Sequence, residues 1–282
     1  MHISPLVSVL ITSYNREKYI EEAIQSVLSQ DYPNFELIIV DDCSTDQTAE
    51  ILKRYEHIDR RIKIYINEKN LGQFANRNLA AGYATGVYIK YVDSDDIIYP
   101  STLSYMVEAM ENHPKAGMGF CLLLNEGNKF LPFVYESKEA LRDHFLNGKT
   151  LFVGPSGCIF RTDAFNEVGK FEEYGMPSDT HLNLKVASKY ETIAFPKDLF
   201  LWREHSEQTF QLNKNNYYNI VKNIHYSLDI INNYSPLSEK ENNIIIYRLK
   251  KNFVKHLMKL FFYKRKPLVA LSLFRKYISK TK

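Results

Sequence analysis

A chain of 282 residues can bury a substantial core, as one large domain or two small ones. With 45% hydrophobic and 24% charged residues it has the composition of a soluble globular protein. No window approaches the roughly 20 apolar residues of a spanning helix, so any work at a membrane is done from its surface. The net charge of +3 is uneven: Arg248 to Lys282 holds 12 Lys or Arg and no acid, so the other 24 basic residues face all 33 acids, a balance of −9. Two regions with different partners are implied.

The three cysteines, Cys43, Cys121 and Cys158, are odd in number and lack C-x-x-C spacing. That argues against a disulfide framework or a zinc site and suits a reducing cytosol. The first residues carry no basic leader, and the apolar run Leu6 to Ile11 is too short for a signal-peptide core, so a cytoplasmic location is expected.

In chain order, Leu6 to Thr12 is almost continuously apolar, as a strand buried on both faces of a parallel sheet would be. Ile20, Ala23, Ile24, Val27 and Leu28 recur at the spacing of an amphipathic helix. A second strand, Phe35 to Val40, runs into Asp41 and Asp42, and Ser44 to Asp46 offers a cap for a helix carrying Ile51, Leu52 and Tyr55. Ile62, Ile64 and Ile66 alternate with Lys63 and Tyr65, which predicts a third strand nearer an edge. Gly72 to Ala84 reads as helix, Val87 to Val92 as the fourth strand, and Leu103, Met106, Val107 and Met110 mark another helix. This alternation predicts an α/β fold, a doubly wound sheet with right-handed crossovers.

Past Lys115 the pattern loosens. Ala116 to Leu124 and Lys129 to Tyr135 read as strands, Ser137 to Asn147 as a short helix, and Gly154 to Gly157 as a turn before the strand Cys158 to Arg161. Ser178-Asp179 precedes a helix to about Tyr190, and Glu191 to Phe195 and Phe200 to Trp202 read as strands. From Lys214 onward the chain is helical. Taking Phe253 as zero and about 100° per residue, Ile246, Leu249, Leu257, Leu260 and Phe261 fall between about −40° and +80°, opposite Arg248, Lys251, Lys255 and Lys259. Pro267 opens another amphipathic segment through Ile278. An apolar stripe facing a basic one suits peripheral association with an anionic membrane through residues 248–282; an ordinary helix packed on the domain has the same pattern.

Asp93, Asp95 and Asp96 close the fourth strand. Clustered carboxylates repel and lose hydration, so they need a cation, donors or a helix N-terminus. Taken alone, they read either as ligands of a divalent ion bridging to a phosphate or as caps of the helix that Pro100 opens. Thr12, Asp41 and Asp93 would share the carboxyl rim of the sheet, where ligands bind in open α/β folds.

Several segments together resemble the family 2 glycosyltransferases of the GT-A fold: VSVLITSYNREKYIEEAIQSVLSQDYPNFELIIVDDCSTDQT, NLGQFANRNLAAGYATGVYIKYVDSDD and, more weakly, GPSGCIFR, SDTHLNL and WREHSEQTF. The resemblance spans roughly residues 5 to 210 and is most specific in the first hundred. It implies a GT-A catalytic domain over 1–212, with 1–115 the nucleotide-binding half and 116–212 the acceptor-side half. Residues 213–282 would form a helical, basic extension. Thr12 and Tyr14 resemble the family's base-contacting turn, and Asp41 the carboxylate that accepts from a uracil edge. Arg77 resembles the arginine near base and diphosphate, where a fixed donor fork suits the oxygens. Asp93 is expected at the ribose or a metal-bound water, Asp95 on Mg2+ or Mn2+, and His205 resembles a histidine that completes the metal site. Asp179 stands at the general-base position, but the acidic neighbour common in the family is Ser178 here. Gly157 either lets backbone approach the donor sugar or makes a turn, and Trp202 either stacks on sugar or packs under its loop.

The activity so implied is an inverting transfer of a sugar from a nucleotide donor, a UDP-sugar foremost, to a saccharide or lipid-linked saccharide. The expected setting is bacterial surface polysaccharide assembly at the inner face of the plasma membrane, with no nucleic acid among the partners. A non-catalytic sugar-nucleotide-binding subunit and a metal-dependent phosphohydrolase are the alternatives.

Overall fold

The computed structural model describes residues 4–123, 130–148, 150–175, 177–208 and 216–280. Strand β1 (Val7–Ser13) lies between β2 (Phe35–Asp41) and β4 (Tyr88–Asp93), all parallel, with β3 (Ile62–Ile66) outside β2. Beyond β4 the sheet turns mixed. Antiparallel β8 (Cys158–Arg161) joins β4 to β6 (Ala116–Cys121), followed by β9 (Glu191–Phe195) and β7 (Phe133–Tyr135). The order β3-β2-β1-β4-β8-β6-β9-β7 has β3 at an edge, as the alternation of Ile62 to Ile66 predicts. Every residue of β2 is buried, which suits its apolar run Leu37 to Val40.

Helices α1 (Ile20–Leu28), α2 (Thr48–Tyr55) and α4 (Thr102–Asn112), together with α3 (Gln73–Tyr83), cover the parallel half. Gly72 precedes α3 at φ 90, a left-handed conformation that glycine adopts without cost. The second half is held by α5 (Ser137–Arg142), α6 (Thr162–Glu167) and α7 (Ser178–Lys189). The sequence pattern differs here in three places. Strand β6 stops at Cys121, β7 is confined to Phe133–Tyr135 with residues 124–129 outside the described ones, and α6 has no counterpart in the predicted elements. Six residues on a strand-to-turn connection are too few to display a helical period.

A two-residue ribbon matters more than its size suggests. β5 (Ile97–Ile98) pairs antiparallel with β10 (Phe200–Leu201), tying the turn after β4 to the segment that carries Trp202 and His205.

The chain ends in α8 (Tyr218–Asn233), α9 (Glu239–Met258) and α10 (Pro267–Lys280). α9 opens with a capping box, Ser238 accepting from the Glu241 backbone while Glu241 returns the bond. Tyr226, Ile230 and Ile231 of α8 share a core with Leu182 and Leu184 of α7. Phe253 and Leu260 are buried with Val221, Ile224, Ala270 and Leu273. Most of the apolar stripe read from Ile246 to Leu260 therefore faces inward, because three amphipathic helices can bury one another's stripes; Phe261 stays outside.

At the opposite end of the parallel strands, Glu36 accepts from Ser8 Oγ at 2.7 Å, Lys63 Nζ at 2.7 Å and the backbone and hydroxyl of Thr85 at 2.8 and 2.7 Å. Burial raises the pKa of this carboxyl, but those donors outweigh it and pull it down to about 2. A lowered carboxylate pKa stabilises the fold above its unfolded value and loses that contribution as pH falls through about 2. Glu36→Gln is expected to cost on the order of 3 kcal/mol at pH 7, read as a lower urea midpoint, with the gap to wild type closing as pH drops below 4.

Candidate active site

The register of the central strands sets the site. Thr12 stands opposite Asp93, and Ser13 opposite Asp41, so the three rim positions predicted from the sequence lie side by side at the carboxyl ends. Asp41 is buried, and its oxygens accept from Ser13 Oγ at 2.8 Å, Ser44 Oγ at 2.6 Å and Ser44 N at 2.8 Å. A carboxylate offers about four acceptor positions, so one on Oδ2 is left beside those bonds. Asn15, at φ 51, accepts from Thr45 N at 2.8 Å and locks the turn after β1 to the turn after β2. Tyr14 is exposed beside it and Thr12 half-buried. Asp42, the neighbour of Asp41, accepts from the Leu71 and Gly72 backbones at 2.8 and 2.9 Å and so positions the start of α3.

The acidic stretch does not cap α4. That helix starts at Thr102 after Ser101, and the aspartates have other partners. Asp93 O accepts from Asp96 N at 2.9 Å in a tight turn. Asp95 Oδ2 stands 3.0 Å from His205 Nε2 and 3.4 Å from Arg16 Nε. Asp96 Oδ1 accepts from Arg203 N at 3.2 Å. Burial, with Asp93 next, pushes the Asp96 carboxyl up to about 8, which favours its neutral form beside Asp93 and Asp95. The β5–β10 ribbon brings His205 to Asp95 across 110 residues. His205 also lies against Tyr19, ring centroids 4.4 Å apart, and its buried Nδ1 has no partner among the described residues.

Arg77 joins the two halves. It is 2% exposed and sends Nη2 to Asp93 Oδ1 at 2.6 Å and Nη1 to Asp179 Oδ1 at 2.7 Å. The Phe74 and Phe171 rings lie 5.6 and 5.5 Å from its guanidinium carbon. Burial opposes its charge, yet Asp93 and Asp179 outweigh burial and raise its pKa. Asp179 sits in the first turn of α7. Burial lifts its carboxyl, Arg77 pulls it back and Asp93 adds to the lift, leaving it at about 6. A group so tuned is mostly ionised at pH 7 and still a competent proton acceptor. Replacing Arg77 by Ala removes the cation that lowers this pKa. The acid limb of the rate profile should then move from about pH 6 to higher pH, as a pH series of initial rates would show.

Of the two positions predicted at the sugar, Gly157 has a structural task on display. A Cβ on Gly157 would stand 2.5 Å from Val153 Cγ2 and 3.0 Å from the Phe200 ring, so close packing of the turn requires glycine there. Trp202 is half-exposed next to β10. Residues absent from the sequence reading also support the site. Ser156 Oγ accepts from Asp93 N at 2.9 Å. Lys90, fully buried, donates to the carbonyls of Ser156 and Tyr91, and burial pulls its pKa down to about 8. A lysine inside an apolar strand, and a serine inside Gly154 to Gly157, were the available signals.

Among the described residues no three His, Cys, Asp or Glu side chains form a ready metal cluster. Asp95 and His205 nevertheless fit a small divalent ion. Two neighbouring ligands with bonds of about 2.1 Å at right angles stand about 3 Å apart, and these two donor atoms are 3.0 Å apart. Mg2+ is commonly held by one or two carboxylates, with phosphate and water completing its shell.

A family model described as Glycosyl transferase family 2 matches residues 8–169. A Bacillus subtilis relative, provisionally described as the teichuronic acid biosynthesis glycosyltransferase TuaG, is 38% identical over 157 residues, 55% of this chain and 60% of its own length. A Campylobacter jejuni relative, GalNAc(5)-diNAcBac-PP-undecaprenol beta-1,3-glucosyltransferase, is 29% identical over 198 residues, 68% of this chain and 63% of its own. Among solved structures, S. aureus TarS 1-349 in complex with UDP superposes with a TM-score of 0.65 at 25% identity, over 86% of this chain and 70% of that one.

Proposed function

The chain belongs to glycosyl transferase family 2, and we propose that it moves a sugar from a UDP-sugar to a saccharide or lipid-linked saccharide with inversion at the anomeric carbon. The observation that carries this reading is the Arg77 bridge, which holds a strand-end carboxylate and a helix-borne base within one guanidinium's reach. Residues 1–115 hold the donor and 116–212 face the acceptor. Thr12, Tyr14 and Asp41 line the base, with Asp41 accepting from a uracil N–H. Arg77 and Asp93 meet the diphosphate and ribose, and Asp95 and His205 hold Mg2+ or Mn2+. The ion, when bound, neutralises diphosphate charge and eases its departure. Asp179 takes the acceptor hydroxyl's proton while that oxygen forms the new bond opposite the departing diphosphate. Gly157 and Trp202 border the sugar.

UDP as donor nucleotide is supported by the UDP complex of the similar TarS structure, and a lipid-linked acceptor by the undecaprenol-linked substrate named for the Campylobacter relative. Among the described residues no helix is long and apolar enough to cross a membrane. Bacterial surface polysaccharide assembly, with the basic C-terminal helices holding the protein peripherally at the inner face of the plasma membrane, is the setting this reading gives. A nucleotide-sugar panel read by thermal shift tests it: a UDP-sugar is expected to raise the Tm further when Mn2+ or Mg2+ is present. No metal-dependent stabilisation by any donor would sink the proposal, and stabilisation without transfer or hydrolysis would favour a binding subunit.

A further inference from the structure

The inward stripes of the C-terminal helices are used up by packing around α8, yet a second set of apolar residues points outward. On α10, Leu268, Leu271, Phe274 and Ile278 follow at intervals of three or four residues, one strip along the helix, and Leu268 is 81% exposed. On α9, Tyr247, Val254 and Met258 are likewise exposed. Between the two strips in the chain, at the π-helical end of α9 (Lys259–Tyr263), Phe262 is 65% and Tyr263 85% exposed. Large side chains this bare and this contiguous in sequence mark an interaction surface.

Charge identifies the occupant. From Asn242 to Lys282 there is no Asp or Glu, and Lys264, Arg265 and Lys266 adjoin the bare aromatics. Lys264 and Lys266 lie 5.2 and 4.9 Å from the Tyr217 ring, and Lys276 lies 3.9 Å from that of Tyr218, so basic heads gather along the flank facing the start of α8. A symmetric contact between two copies would set this basic surface against itself. We infer that the outward faces of α9 and α10, with the π-helical end of α9 (Lys259–Tyr263) and the short connection after it as their tip, dock onto an anionic lipid bilayer, the aromatics entering the interface and the lysines meeting headgroups.

The inference rests on the membrane-side part of the function proposed above and replaces its contact surface. The stripe from Ile246 to Leu260 is internal, and residues outside it make the contact. α8 packs on α7 on one side and on α9 and α10 on the other, and Asp229 of α8 bonds His181 Nε2 at 2.9 Å, two residues beyond Asp179. The docking unit is thus built directly on the helix that carries the base, which suits an acceptor presented from a lipid.

Vesicle flotation of the full chain, without donor or acceptor, tests this. Wild type should float with phosphatidylglycerol vesicles and not with phosphatidylcholine vesicles, and lose binding in high salt. Phe262→Ser with Leu268→Ser, and separately Lys264→Glu with Lys266→Glu, should each weaken binding at least about tenfold, with Tm and sedimentation coefficient unchanged. Wild type that ignores anionic vesicles, or variants that bind as it does, would overturn the inference. So would a wild-type oligomer that the apolar variant dissolves, which would give the face to a second copy. The metal-dependent donor shift needs no vesicle, so its failure is read separately.

Discussion

Asp179→Asn is expected to lower turnover by about 10³-fold while leaving metal-dependent donor binding within about twofold of wild type. Asn has the shape of Asp and can still accept from Arg77 Nη1 through the oxygen that now lies 2.7 Å away. It keeps its place in the first turn of α7 and loses its charge and the ability to take a proton, while Asp93 stays paired with Arg77. The wild-type rate should fall about tenfold per unit as pH drops below about 6, because a carboxyl at about 6 is progressively protonated there and a protonated base cannot act. The residual rate of the variant should lack that limb. Single-turnover rates at saturating donor, measured from pH 5 to 8, read both effects. A variant that keeps the limb would assign it to another group.

Asp95→Asn is expected to fail differently. Turnover should fall by about 10²-fold or more, and donor binding should lose its dependence on Mn2+. The substitution removes the carboxylate that stands 3.0 Å from His205 Nε2 and 3.4 Å from Arg16 Nε. An amide oxygen still accepts hydrogen bonds but brings no negative charge to a divalent ion. Asp93 remains on Arg77, so the nucleotide part of the affinity should persist. The two variants thus divide the site between holding the leaving group and preparing the attack.

The parallel half was legible because local pattern and burial agree. β1 and β2 are buried along nearly their whole length, and their apolar runs say so. The position of Thr12, Asp41 and Asp93 on one rim followed from strand ends alone. Long-range closure was not legible. Arg77 meets Asp179 across 102 residues, and no spacing in a sequence encodes a fork shared by two carboxylates. His205 reaches Asp95 through a ribbon of two residues per strand, too short to alternate visibly. The acidic stretch was ambiguous between cap and site, and the start of α4 at Thr102 after Ser101 removes the cap alone. In the tail, periodicity correctly marked an amphipathic helix, but a stripe does not state what covers it. Phe253 and Leu260 are covered by α8 and α10, and the outward set beginning with Tyr247 belongs to a different face.

The division of labour between Asp95 and Asp179 is tested most directly by calorimetric titration of a UDP-sugar into wild type, Asp95→Asn and Asp179→Asn, each with and without Mn2+. Asp179→Asn is predicted to bind as wild type does, with the same gain from Mn2+, and Asp95→Asn to show no gain. Equal loss in both variants, or an undiminished Mn2+ effect in Asp95→Asn, would contradict a site in which one carboxylate serves the leaving group and the other the attacking hydroxyl.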